Sequence, residues 1–203
     1  MRIGVDFNKV ILAPNLSLEA EILYCSFPDV KTRPQKCTWK EFQRQDIPRD
    51  RFEELRDMIY LPAYRYRLSP VKGAFDTLRR FVESGHDVLV VTSRVGRSCE
   101  LSKEWFHEMS GLAIIPFIGV GTDENGVKKS KGDVLRKYDI HVYIDNSDKK
   151  RRQILRERAQ FKKLPKLLHF RLFGREEEWS PPYTVPAFSW LDIRQRTDAI
   201  VTM

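Results

Sequence analysis

Three short apolar runs that each end on a polar side chain constrain this chain more than any other feature. Arg2 to Val5 leads into Asp6, Val88 to Val91 into Thr92, and Val142-Tyr143-Ile144 into Asp145. Short apolar runs without polar alternation suit parallel strands covered on both faces. A run ending on an acid is often just a strand meeting water, but three in sheet-compatible order are harder to dismiss. The intervening sequence gives the order strand, insertion, helix, strand, helix, strand, helix, strand. Right-handed crossovers then imply an α/β fold: a Rossmann-like three-layer sandwich with a mostly parallel sheet. Ligands in such sheets bind beyond the carboxyl ends of the strands, where Asp6, Thr92 and Asp145 fall.

The first helix of the core is expected to begin at Ser69 as N-cap with Pro70 in the first helical position. Val71, Phe75, Leu78, Phe81 and Val82 supply its apolar face and Gly85 its stop. A second helix is read over Ser98 to Met109, a strand over Ala113 to Val120, and a turn over 121–126. Ser130 is the expected cap of a third helix running through Tyr138. Leu167 to Phe170 reads as a further strand, and Trp190 to Gln195 as a short terminal helix. Residues 14–68 lack a strong period and hold several prolines, with helical stretches near Leu16–Leu23 and Arg49–Tyr60. They are read as a small helical insertion between core segments 1–13 and 69–203.

A chain of 203 residues suffices for one α/β domain with a modest insertion. No stretch approaches the roughly 18 apolar residues of a membrane span, so no membrane partner is expected. Asp6 interrupts any signal-peptide core, which points to a cytoplasmic protein. Cys25, Cys37 and Cys99 contain no Cys-x-x-Cys pair, and the four histidines are scattered, which disfavours a disulfide framework or a zinc site. No Gly-x-Gly-x-x-Gly follows the first strand, against a dinucleotide binder. The oligomeric state is not legible.

The net charge of +8 is concentrated: Lys149 to Arg175 holds eleven Lys and Arg against one acid, Glu157. The segment reads either as a footprint for nucleic acid or an acidic partner, or as the solvated face of one helix.

If Asp6, Thr92, Lys131 and Asp145 converge, two carboxylates face each other and need a cation between them. Oxygen-only ligation favours Mg²⁺, which uses one or two carboxylates, waters and substrate phosphate. Lys131 would neutralise equatorial phosphate oxygens and Thr92 would donate a hydroxyl, leaving Asp6 free to attack phosphorus.

Val5-Asp6-Phe7-Asn8-Lys9-Val10, Val90-Val91-Thr92-Ser93-Arg94, Lys131 ahead of a helix, and Val142 to Ser147 together resemble the four motifs of the haloacid dehalogenase-like (HAD) superfamily. The insertion resembles a C1 cap. Leu68 to Ala74 and, more faintly, Pro186 to Trp190 are similar to the 5'(3')-deoxyribonucleotidase branch. The resemblance implies a phosphatase for a small phosphorylated metabolite or nucleotide, with Mg²⁺ as cofactor. It implies Asp6 as nucleophile and metal ligand, the backbone carbonyl of Asn8 and Asp145 as further ligands, and Thr92, the Ser93 N–H and Lys131 as phosphate binders. Lys128 and Lys129 compete for the lysine role.

The sequence departs from the family pattern at Asn8, which stands where an acid–base aspartate is usual. An amide holds the shape but cannot carry the proton. Lys9 replaces a usual glycine, and Asn146 a second acid that Asp148 is placed to supply. Two functions therefore remain open: a slowed phosphatase, or a catalytically impaired relative that binds a phosphorylated ligand, nucleic acid or protein. Trp39, Phe42, Tyr60, Tyr64 and Tyr66 are candidate base-stacking surfaces, with Arg65 and Arg67 nearby; packing is the competing reading.

Overall fold

The computed structural model describes residues 1–26, 54, 57–122, 128–171 and 184–201. Its strands are β1 (Arg2–Asp6), β2 (Asp87–Thr92), β3 (Phe117–Gly119), β4 (Gly121–Thr122), β5 (Lys128–Lys129), β6 (Val142–Asp145), β7 (Lys166–Phe170) and β8 (Thr184–Ala187). The main sheet has six strands in the order β3-β2-β1-β6-β7-β8. Every pairing in it is parallel. β4 and β5 form a separate antiparallel pair. The helices are α1 (Leu16–Ser26), α2 (Pro62–Arg65), α3 (Ala74–Glu83), α4 (Gly96–Ser110), α5 (Lys131–Lys137), α6 (Asp148–Arg156) and α7 (Trp190–Val201).

Alternation along the strands divides the core in two. Ile3, Val5, Val90, Ile144 and Leu168 face one layer, shared with Leu78 and Phe81 of α3, Trp105 and Phe106 of α4 and Trp190 of α7. Leu89, Val91, Tyr143 and Leu167 face the other, shared with Val134 and Leu135 of α5 and Ile154 of α6. Each buried side chain of this size stabilises by about 1.5–3 kcal/mol. The three-layer α/β sandwich expected from the apolar runs is the observed fold.

Several boundaries differ. The first core helix starts at Ala74, behind a left-handed Gly73 with φ of 81°. Ser69 and Pro70 do not cap it: the Ser69 carbonyl accepts from Ala13 N, Pro70 bridges to Leu12, and Val71 N donates to the Ile11 carbonyl. Their backbone is committed to the loop after β1. The strand read over Ala113–Val120 shrinks to Phe117–Gly119, because Ile115 N bonds back to Leu112 in a turn. β8 was not foreseen; it contains Pro186, which an edge position tolerates because no ladder partner needs its N–H. The last helix runs on from Trp190 to Val201.

From the insertion, α1, α2 and residues 57–61 are described, and Leu18, Ile22, Ile59 and Tyr60 join the same core layer as β1. Trp39, Phe42, Cys37 and most of the Arg49–Tyr60 stretch lie outside the described residues. Among the described residues no helix is long and apolar enough to cross a membrane.

Candidate active site at the carboxyl ends of β1, β2 and β6

The parallel register sets Asp6, at the end of β1, opposite Val91, one residue before Thr92 on β2, while β6 flanks β1 on its other side and ends at Asp145. Lys131 enters from the first turn of α5. Ser130 fixes that helix start with a capping box: its side chain accepts from Asp133 N while the Asp133 carboxylate accepts from Ser130 N at 2.7 Å.

Lys131 Nζ donates to Asp6 Oδ1 at 2.7 Å and to Asp145 Oδ2 at 2.8 Å. One ammonium thus holds both carboxylates within reach of a common ion. Lys131 is the lysine seen to contact both carboxylates; Lys129 is half-buried on β5. Asp145 is further fixed by Tyr143 OH, which donates to Oδ2 at 2.8 Å, and by Ser147 N, which donates to Oδ1 at 2.7 Å. Gly4 makes room for the tyrosine: a Cβ there would sit 3.0 Å from the Tyr143 ring.

Two buried carboxylates against one ammonium leave a negative charge unanswered. Burial, then the Asp145 charge, push the Asp6 carboxyl up to about 6 against the lowering pull of Lys131. Burial pulls Lys131 down, but Asp6 and Asp145 outweigh it and leave the ammonium above its ordinary value. Burial and then the same two carboxylates raise the Tyr143 phenol well above its usual range. This charge imbalance fits a divalent cation. Among the described residues no group of three His, Cys, Asp or Glu side chains could hold a metal. A pair of carboxylates suits Mg²⁺ and its retained waters better than a protein-caged zinc or calcium.

Thr92 is fully buried and its Oγ1 accepts from Arg94 N at 3.3 Å, while Ser93 is exposed at the loop crest. Gly119 allows this loop to pack closely, since a Cβ would fall 2.5 Å from the Arg94 carbonyl oxygen. Asn8 is half-buried, and its Oδ1 accepts from Arg94 Nη2 at 2.9 Å and from Nε at 3.3 Å. Arginine only donates, so the Asn8 amide must turn its oxygen to Arg94 and its NH₂ away. Lys9 takes a left-handed φ of 61°, a conformation that favours glycine.

Sequence reasoning missed two contributors. Arg94, part of the second motif, is 5% exposed, braces Asn8 and lies over the Tyr60 ring with 5.0 Å to the centroid. Tyr143 reads from sequence as a core strand residue; its position two before Asp145, on the same strand face, is the available signal. Arg151, within the basic run, is buried and so is not a surface contact for nucleic acid. One reading is corrected: Tyr60 is buried beneath Arg94 and offers no free stacking face. Asp148 is exposed and contacts Arg151. Arg65 and Arg67 are engaged by Glu108 and Glu21.

Sequence comparison matches the chain to no family model and to no curated protein. Solved structures do match its fold. A predicted phosphatase from Clostridium acetobutylicum superposes with a TM-score of 0.65 at 14% identity, covering 100% of this chain and 98% of that one. A HAD family hydrolase from Deinococcus radiodurans, with bound phosphate and sodium, gives 0.56 at 13% identity over 100% and 96%. A HAD-superfamily hydrolase of subfamily IA from Geobacter sulfurreducens gives 0.59 at 13% identity over 98% of both chains. The class so defined is an α/β, Rossmann-like fold shared with HAD-superfamily hydrolases.

Proposed function

We propose that this chain is a Mg²⁺-dependent phosphatase of the HAD type, acting on a small phosphorylated metabolite through an aspartyl-phosphate on Asp6. The observation that carries the reading is the convergence of Asp6 and Asp145 on Lys131 at the strand ends. Asp6 attacks phosphorus, a P–O(Asp) bond forms, and the P–O bond to the alcohol breaks. Lys131 offsets the charge on Asp6 and the transferred group, while the Thr92 hydroxyl and Ser93 N–H hold the remaining oxygens. Mg²⁺, held by Asp6, the Asn8 carbonyl and Asp145, would supply charge neutralisation for the phosphate. Asn8 cannot protonate the leaving oxygen, so that proton comes from water, and water then cleaves the acyl-phosphate. Losing acid–base help costs about 10²–10⁴-fold, so turnover is slow.

The division into a core of 1–13 and 69–203 and a C1-type cap of 14–68 belongs to this proposal, as does a cytoplasmic location. The nucleotide version rests on the resemblance of Leu68 to Ala74 and, more faintly, of Pro186 to Trp190. The test is release of inorganic phosphate from a panel of sugar phosphates, phosphorylated acids and nucleotides with and without Mg²⁺. Mg²⁺-dependent release from at least one class supports the reading; inactivity of folded protein toward all of them counts against it.

The grip of Arg94 on Asn8 favours a second reading, a relative that binds a phosphorylated ligand without hydrolysing it. It is distinguished by tight, Mg²⁺-dependent binding of the same compounds with no phosphate released. A nucleic-acid version would use the exposed Lys149, Arg152 and Arg156 of α6, and requires salt-sensitive binding that Arg152→Glu weakens.

A further inference from the structure

Arg94 follows Thr92 by two residues on the loop after β2 and is buried. A cationic side chain is rarely so enclosed unless it is held, and every nitrogen of this one is committed. Its backbone N–H donates to Thr92 Oγ1 at 3.3 Å. Nε and Nη2 both donate to Asn8 Oδ1, at 3.3 and 2.9 Å, and Nη1 donates to Ser98 Oγ at 3.1 Å in the first turn of α4. The Tyr60 ring, from the segment ahead of α2, packs on the guanidinium. The backbone is enclosed too, with the Arg94 carbonyl oxygen seated where only a glycine at position 119 leaves room.

Arg94 does the same thing to both of its polar neighbours in the site: it occupies an acceptor and leaves the donors. A carboxamide carries its oxygen and its NH₂ at opposite ends, so an oxygen gripped by two guanidinium N–H groups directs both amide hydrogens the other way. A hydroxyl that accepts from a backbone N–H keeps its single hydrogen for another partner. Asn8 lies two residues past Asp6, and Thr92 ends the strand paired with β1, so both sets of hydrogens belong to the strand ends that carry the Asp6 carboxylate. An unheld amide could flip, and the reverse orientation would set its oxygen against an anionic phosphoryl group.

We propose that Arg94 is a positioning residue that sets the polarity of the site: it holds Asn8 by the oxygen so that the Asn8 NH₂ donates to the phosphoryl group bound at Asp6, alongside the Thr92 hydroxyl. This rests on the phosphate-handling reading of the site given above. It makes Asn8 a hydrogen-bond donor in place of the proton carrier that an amide cannot be. Through Tyr60, it also ties the segment ahead of α2 to the orientation of Asn8.

The reporter is the Asn8 side-chain NH₂ pair in ¹H–¹⁵N spectra of the full chain, assigned by its loss in Asn8→Ala. Mg²⁺ and saturating beryllofluoride are added, and ¹⁹F spectra follow the bound mimic separately. The Asn8 resonances are expected to shift in wild-type protein. In Arg94→Met, which keeps the backbone bond to Thr92, that shift should fall by more than about half while the ¹⁹F signal of the bound mimic remains. An unmoved Asn8 resonance in wild-type protein, or an equal shift in Arg94→Met, overturns the proposal. Loss of the bound ¹⁹F signal in Arg94→Met would make Arg94 a phosphate ligand and overturn the positioning role. Kinetics give the second readout. On a phosphomonoester, Arg94→Met should lower kcat roughly tenfold to 10²-fold with little change in KM, as a donor aimed at developing charge is lost. In an Asn8→Ala background the same change should cost less than about threefold, because its target is gone. Equal losses in the two backgrounds would show that Arg94 acts through the fold and not through Asn8. Arg94→Lys, which keeps the charge but not the two-pronged grip, carries the same measurements if Arg94→Met melts early. If wild-type protein releases no phosphate from any ester, the phosphatase reading has failed, and the Asn8 resonances alone decide the role of Arg94.

Discussion

Two polar clusters are buried at the same edge of this sheet, on neighbouring strands, and each is left incompletely satisfied in its own way. Around Asp6 and Asp145, a single ammonium, a phenol and a backbone N–H serve two carboxylates, and negative charge is left over. Around His169, Arg151 meets one exposed carboxylate, Asp148, and two of its guanidinium nitrogens are left without acceptors. Both clusters bear the cost of desolvation. What separates them is the kind of shortage: carboxylates outnumber the ammonium at the first, which calls for a cation, while at the second the guanidinium of Arg151 lacks hydrogen-bond acceptors.

The comparison can be broken most forcefully at Asp6. Asp6→Asn is expected to lower phosphate release by on the order of 10⁴–10⁶-fold, as for loss of a nucleophile. The same change should raise the urea midpoint of metal-free protein at about pH 8, because one of two repelling carboxylates is gone. Lys131→Met should do the reverse to stability, costing about 3–5 kcal/mol by leaving buried charges unpaired, with partial recovery when Mg²⁺ is added.

The pH dependence sharpens the claim of excess negative charge. Asp6 moves from 3.8 to about 6 on folding, so its contribution to stability is complete below about pH 4 and is lost as pH rises through about 6. Urea titrations of metal-free protein should therefore show a loss of roughly 2–3 kcal/mol between about pH 4 and pH 8, which saturating Mg²⁺ offsets. A flat profile would mean the carboxylates are already balanced.

Asn8→Asp should increase hydrolysis, but only by about tenfold to 10²-fold, below the full benefit of an acid–base residue, because Arg94 would hold the new carboxylate ionised. A larger gain in single-turnover rate would show that Arg94 does not grip residue 8. The smallest effect is expected from Lys9→Gly, which relieves a left-handed backbone at φ of 61°. It should stabilise the fold by about 1 kcal/mol in thermal melts.

The strand ends were legible because a buried parallel strand has to be an apolar run, and the polar residue ending it lands at the ligand-binding edge. Ser130 was legible because a cap is a local feature. The rest depended on contacts between distant segments. Ser69-Pro70 has every local mark of a helix start, yet the loop at Ile11 to Ala13 claims that backbone and the helix waits for Gly73. Pro186 hid an edge strand. Arg94, Tyr143 and Arg151 carry no periodic signal: one reaches across to a residue of β1's loop, one matters only through the strand face it shares with Asp145, and one differs from its basic neighbours only in facing inward.

A crystal structure grown with excess Mg²⁺ and beryllofluoride tests the central claim most directly. The account expects a metal ion between the Asp6 and Asp145 carboxylates and a beryllofluoride adduct on Asp6, flanked by Thr92 and Lys131. Lys131 still bridging both carboxylates, with neither metal nor adduct bound, would contradict it.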